Sequence, residues 1–185
     1  NPLWIVDPID GTRAFIEQRP EFTVATSLVA GNRPVCGCVY NPATDEFFEA
    51  IAGGGARLNG ATIHVSDRDG FDGARLLASA RMVKSTIEEM DVKPAAYDAV
   101  NSVAYRMALV ACGHYDATLS LGPKSDWDLA AADLIVAEAG GLSGDRFGAP
   151  FRYNEASARQ ASLISANPAL HAALVEVVTR IEWGL

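Results

Sequence analysis

Cysteine is scarce: Cys36, Cys38 and Cys112 are the only three in 185 residues. An odd, sparse count is no disulfide framework and suits a reducing compartment. Cys36 and Cys38 lie two apart in an apolar run, so on a strand they share a face. No histidine lies near enough to complete a soft-metal site, and small packed residues are the plainer reading. The three histidines, His64, His114 and His171, share no ligand spacing. Positive charge is also short, with 15 Lys and Arg against 23 Asp and Glu and a net charge of −8. Such a chain repels nucleic-acid backbones, so no nucleic-acid polymer is expected as a partner. Uncharged apolar runs such as residues 23–31 fall far short of the roughly 20 residues of a membrane span, and no charged-then-apolar leader opens the chain. A cytoplasmic protein without a membrane partner is expected.

Hydrophobic residues are ample, at 49% of the chain, enough for one domain or two small packed ones. Leu3–Val6 reads as a strand. Residues 11–16 form a short helical turn, and Thr23–Ala30 and Pro34–Tyr40 form an antiparallel hairpin around Gly31-Asn32. Glu46–Ile51 follows as a third strand of that region, and glycine clusters at 53–55 and 59–60 mark turns. Thereafter strands and helices alternate. Strands are expected at Arg75–Ser79, Ala117–Leu121 and Ala161–Ala166. Helices are expected at Lys84–Met90, Ser102–Cys112, from Ser125 or Asp126 to Ala139, and from Pro168 to about Ile181. The fold class is α/β, with residues 1–72 an antiparallel-sheet half and residues 73–185 an α/β half, packed as one unit. A strand at the first residues has nothing ahead of it to cover it. An exposed apolar face is therefore expected near Trp4, Phe22 and the hairpin of residues 23–40, with a missing N-terminal segment as its natural cover.

The most informative segment is Asp7-Pro8-Ile9-Asp10-Gly11-Thr12, directly after the first strand. Pro8 stiffens the turn, which can aim Asp7, the Ile9 carbonyl and Asp10 at one point. All are hard oxygen donors, the kind Mg²⁺ prefers. Gly11 and Thr12 then open a helical turn whose backbone N–H groups suit an anion. Asp-Pro and Asp-Gly are also ordinary turn pairs, so local chemistry leaves a metal site and a plain capped turn both open. A second acidic segment, Asp126-Trp127-Asp128, opens the Ala-rich helix. There Asp128 either complements the helix dipole or supplies a third carboxylate.

Asp7-Pro8-Ile9-Asp10-Gly11-Thr12 with Phe15, and Trp127-Asp128-Leu129-Ala130-Ala131 with Glu138-Ala139-Gly140-Gly141, resemble the two signature motifs of the inositol monophosphatase family, which includes the 3′(2′),5′-bisphosphate nucleotidases. Gly37, residues 53–56 and Asn59-Gly60 are similar to its connecting β segments. The resemblance implies a layered αβαβα sandwich lacking its N-terminal helices and a Mg²⁺-dependent phosphomonoesterase acting on a small soluble phosphate ester. It implies Mg²⁺ ligands in Asp7, the Ile9 carbonyl, Asp10 and Asp128, with Asp7 and Asp10 thereby catalytic. It places phosphate on the Gly11 and Thr12 N–H groups, and gives Thr12 a part in orienting the attacking water. A further Glu ligand of the family belongs to an acidic loop ahead of its first motif, upstream of Asn1. Ser102 lies where the family contacts substrate, and Ser120 where many members carry a substrate Glu. Leu121-Gly122-Pro123-Lys124 looks more like the nucleotidases, making Lys124 the candidate reader of a second anionic group and Arg81 a weaker one. A homodimer is a further expectation. The alternative function is a non-catalytic member of the fold that binds a phosphorylated ligand or a partner.

Overall fold

The computed structural model describes residues 1–79 and 94–180. The expected helix Lys84–Met90 and the candidate Arg81 lie outside the described residues. Apolar alternation in the first 62 residues builds a six-stranded antiparallel meander, β1 (Leu3–Asp10), β2 (Thr23–Ala30), β3 (Arg33–Asn41), β4 (Glu46–Ile51), β5 (Ala56–Leu58) and β6 (Ala61–Thr62), in that spatial order. A short helix α1 (Thr12–Ile16) interrupts it after β1. The second sheet combines β7 (Arg75–Ala78), β8 (Ala96–Ala99), β9 (Ala117–Ser120), β11 (Leu142–Gly144) and β13 (Leu163–Ala166), in the spatial order β11-β13-β9-β7-β8. A two-residue ladder joins β10 (Lys124–Ser125) to β12 (Arg159–Gln160).

Helices α2 (Val103–Ala111) and α3 (Asp126–Glu138) lie between the sheets, and α4 (Pro168–Arg180) covers the far face of the second sheet. The side-chain alternation of β7 and β13 explains both contacts. Leu77 and Leu163 enter the central core with α2 and α3, whereas Leu76 and Ile164 join Leu170 and Leu174 of α4. The described layers are thus β-α-β-α. The outer face of the first sheet carries no helix among the described residues, and there Trp4 is 60% exposed, Val6 51% and Ile51 66%. That is the apolar face expected near Trp4; Phe22 beside it is only half-buried. Among the described residues no helix is long and apolar enough to cross a membrane.

Two close approaches set the helix layer against the first sheet. A Cβ on Gly37 of β3 would sit 3.0 Å from both the Ala131 Cα and carbonyl oxygen of α3. At the end of α3 the Glu138 carboxylate accepts from the Gly53 and Gly55 backbone N–H groups at 2.7 and 2.8 Å. The glycine cluster read as a turn is therefore also a clasp for the helix.

Candidate metal centre

Asp7 and Asp10 are three residues apart, and on a regular strand they would face opposite sides of the sheet. The register shows why they do not. Asp7 pairs with Ala25 and Asp10 with Thr23, so three steps on β1 match two on β2. The extra residue is a bulge at Pro8-Ile9, and both carboxylates end buried on the helix side. Asp128 comes from the first turn of α3, where its Oδ2 accepts from the Ser125 N–H at 2.8 Å and fixes its rotamer. One carboxylate oxygen from each of Asp7, Asp10 and Asp128 lies within 4.8 Å of the others. Residues more than a hundred positions apart thus converge, as the metal reading requires.

Asp10 is the most enclosed of the three. Its Oδ2 accepts from the Ser102 hydroxyl and the Ala104 N–H, both at 2.7 Å. Burial pushes its carboxyl up to about 7 against those two hydrogen bonds, with Asp128 and Asp7 adding like-charge repulsion. Burial likewise raises Asp7, opposed by the Ile9 N–H, which donates to its Oδ1 at 3.0 Å, and assisted by Asp128. Two buried acids whose protons are hard to remove, crowded by the carboxylate of Asp128, suit a hard divalent cation, which would relieve both burial and repulsion. Beside them the Thr12 hydroxyl donates to the Ile9 carbonyl at 3.2 Å.

Gly11 at the start of α1 has φ of 85°, and a Cβ there would lie 2.8 Å from the Glu21 carbonyl oxygen and 3.0 Å from the Ser102 Cβ. Only glycine fits this turn without displacing Ser102.

Ser102, read from the sequence as a substrate contact, is fully buried as the N-cap of α2. Its Oγ donates to Asp10, accepts from the Tyr105 N–H at 3.0 Å, and lies 3.1 Å from the Thr23 hydroxyl. With its donor given to Asp10, Thr23 is the donor in that last pair. Ser102 therefore stands behind a carboxylate rather than at the mouth of the site. Lys124 sits half-buried on β10, with its ammonium donating to the Pro123 and Gly122 carbonyls at 3.1 and 3.4 Å. Burial and the charge of Arg106 lower its pKa, while attraction to Asp128 and Asp10 raises it, so Lys124 is within electrostatic reach of the carboxylates. Ser120 is buried in β9.

Sequence reasoning missed Thr23 and Arg106. The first had no signal beyond its strand pattern. Arg106 did: it is the only charged residue in α2, and it is 1% exposed.

Residues 1–182 match the profile of the inositol monophosphatase family. The chain is 38% identical over 159 residues to inositol monophosphatase 2 of Solanum lycopersicum, covering 81% of this chain and 60% of that protein. It is 36% identical over 151 residues to Nus factor SuhB of Haemophilus influenzae, covering 75% and 55%. The chain thus spans about three fifths of the length of the curated relatives it matches. Among solved structures, an IMPase of Thermotoga maritima superposes with a TM-score of 0.87 at 30% identity, covering 96% of this chain and 68% of that one. The extragenic suppressor protein suhB of Bartonella henselae gives 0.82 at 28% identity, covering 97% and 73%. The profile match takes in both sheets and both acidic segments, and the chain belongs to the inositol monophosphatase family.

Proposed function

We propose that the protein is a Mg²⁺-dependent phosphomonoesterase acting on a small soluble phosphate ester. The observation that carries this reading is the convergence of Asp7, Asp10 and Asp128, whose ligand oxygens lie within 4.8 Å of one another. An all-oxygen donor set with three acids fits Mg²⁺ better than a softer ion. The Ile9 carbonyl would complete the donor set from this chain. Mg²⁺ in such a site supplies Lewis-acid polarisation of the phosphoryl oxygens and activation of water.

The chain's own residues divide the remaining work. Gly11 and Thr12 would hold the phosphate through backbone N–H groups at the start of α1. The Thr12 hydroxyl gives its proton to the Ile9 carbonyl, which leaves its lone pairs to accept from the attacking water. Asp10, locked by Ser102 and Ala104, keeps its place while charge moves in front of it. Such prior ordering lowers the cost of reaching the reactive geometry.

For the substrate we favour a 3′(2′),5′-bisphosphate nucleotide over inositol monophosphate. Lys124 supports this choice: it stands ahead of α3 within electrostatic reach of Asp10 and Asp128, where it would meet a second anionic group. The test is phosphate release by the full-length protein from adenosine 3′,5′-bisphosphate and from inositol monophosphate, with and without Mg²⁺. Mg²⁺-dependent release from the bisphosphate at the higher kcat/KM is expected. No release from either would refute the enzyme reading.

A second reading keeps the fold and binds a phosphorylated ligand or a partner without turnover. Relatives bearing the name Nus factor SuhB favour it, and tight phosphate binding without release would support it. A homodimer, a cytoplasmic location and a division of the chain near residue 72 belong to the same proposal. The division falls between the last strand of the first sheet, β6, and β7, and the acidic, disulfide-free chain suits a reducing compartment.

A further inference from the structure

Arg106 is a fully buried cation that the reaction outlined above does not use. It lies four residues after Ser102, so both side chains leave α2 on the same face, and Ser102 faces Asp10. Its guanidinium donates from Nη1 to the Val100 carbonyl at 3.0 Å. Its Nε has no hydrogen-bond partner and no carboxylate pairs with it among the described residues. A buried, unpaired guanidinium is costly, and packing alone would be served better by Met or Leu. Every other residue of α2 is uncharged. Attraction to Asp10 and Asp128 offsets part of its desolvation, and the ammonium of Lys124 is the other cation within its electrostatic reach.

We propose that Arg106 is a positioning residue of the carboxylate cluster, a fixed internal counter-charge that steadies Asp10 and Asp128 and holds divalent-cation affinity down. Three carboxylates this close repel one another strongly in a poorly solvated site. A cation behind them relieves that repulsion while the site holds no ion, and it opposes an incoming divalent ion. The ion is then held less tightly than three carboxylates alone would hold it, and it can exchange between turnovers. This inference rests on the metal reading of Asp7, Asp10 and Asp128.

The test is direct titration of the full-length protein with Mn²⁺, free ion being followed by electron paramagnetic resonance, without substrate and at pH 8.5. Arg106→Gln removes the charge but keeps a donor for the Val100 carbonyl, Arg106→Met removes both, and Arg106→Lys keeps the charge. Both neutral variants should bind Mn²⁺ about fivefold or more tightly than wild type, as expected for removing one unit charge that acts on the ligands of a divalent ion. Arg106→Lys should stay near wild type. Mn²⁺ affinity that is the same in all four proteins would overturn the inference, as would equal weakening in Gln, Met and Lys, which marks a packing role. Should Arg106→Met not fold, the Gln and Lys pair still decides the matter. Absence of Mn²⁺ binding in every protein, wild type included, would remove the metal reading and this inference with it. Binding indifferent to residue 106 removes the inference alone.

Discussion

The Ser102 hydroxyl donates to the Asp10 carboxylate at 2.7 Å and joins two residues that are 92 positions apart. The same oxygen accepts from the Tyr105 N–H and caps α2. One atom therefore ties the start of a helix to a candidate metal ligand. Ser102→Ala should remove the cap, worth about 1 kcal/mol, and a charge-assisted bond to a buried carboxylate, worth about 1.5–3 kcal/mol. A clear fall in melting temperature is expected, with weaker Mg²⁺ binding by calorimetry. A variant as stable as wild type would show that Asp10 is held elsewhere.

Asp10→Asn preserves the shape of the ligand and removes its charge. Mg²⁺-dependent turnover should fall by at least a hundredfold, a loss of about 2.7 kcal/mol in transition-state stabilisation. The fold should survive, because the amide oxygen can still accept from Ser102 and Ala104. Circular dichroism and phosphate release on the same sample check both halves, and turnover at the wild-type rate would exclude the role given to Asp10.

Much of this arrangement was legible in the sequence. The alternation in residues 23–51 marks the strands of the first sheet, because a sheet covered on one face reads as period two. Asp7, Asp10 and Asp128 were legible as candidate ligands through the resemblance of their two segments to the family's motifs, because local chemistry alone leaves a capped turn and a dipole-complementing Asp128 equally open. The bulge that turns Asp7 and Asp10 to the same side was not, since bulge geometry follows from pairing with β2 and not from Pro8-Ile9 alone. Ser102 shows another limit. A serine at a helix start reads equally as a cap or as a ligand contact, and only the packing of α2 under Asp10 shows where its hydroxyl goes. The short pairings β8 and β10 carry too few residues for any period.

The metal-free protein should lose stability as pH rises. Burial raises Asp10 from 3.8 to about 7 in the folded state. The folded state then holds a proton that the unfolded state releases, so the stabilisation is complete below pH 4 and is lost as pH climbs through about 7. A shift of that size corresponds to at most about 4 kcal/mol. Asp133, raised to about 6 by burial, adds in the same direction. His171, lowered by burial, acts oppositely. The difference in melting temperature between wild type and Asp10→Asn, measured without metal from pH 4 to pH 8, isolates Asp10. It should move steadily against wild type as pH rises, and saturating Mg²⁺ should reverse it near pH 8. A pH-independent difference would contradict the burial of an ionisable Asp10.

Lys124→Ala tests the choice of substrate. Its ammonium is within electrostatic reach of the site, so its loss should raise KM for adenosine 3′,5′-bisphosphate about tenfold or more, as for a lost charge-assisted contact. KM for inositol monophosphate should move by less than about twofold, because only the bisphosphate offers a second anion. Equal changes for both substrates would count against the nucleotidase assignment.

The last prediction concerns distance rather than charge. Gly37 on β3 lets α3 approach until a Cβ would lie 3.0 Å from the Ala131 backbone. Ala131 is three residues, nearly one helical turn, after Asp128, so the spacing between β3 and α3 also sets where the Asp128 carboxylate stands relative to Asp7 and Asp10. Gly37→Ala must push backbone atoms apart by a few tenths of an ångström, because neither neighbour is a flexible side-chain end. Overpacking of this kind costs about 1–3 kcal/mol. More tellingly, it should weaken Mg²⁺ binding and turnover together, although residue 37 touches neither metal nor substrate. An Ala131→Gly change on the facing helix should not rescue the loss, because the clash is with the Ala131 backbone and not with its methyl group. Calorimetric Mg²⁺ titration of Gly37→Ala decides the matter: wild-type affinity in a destabilised protein would mean that α3 moves as a unit without displacing Asp128.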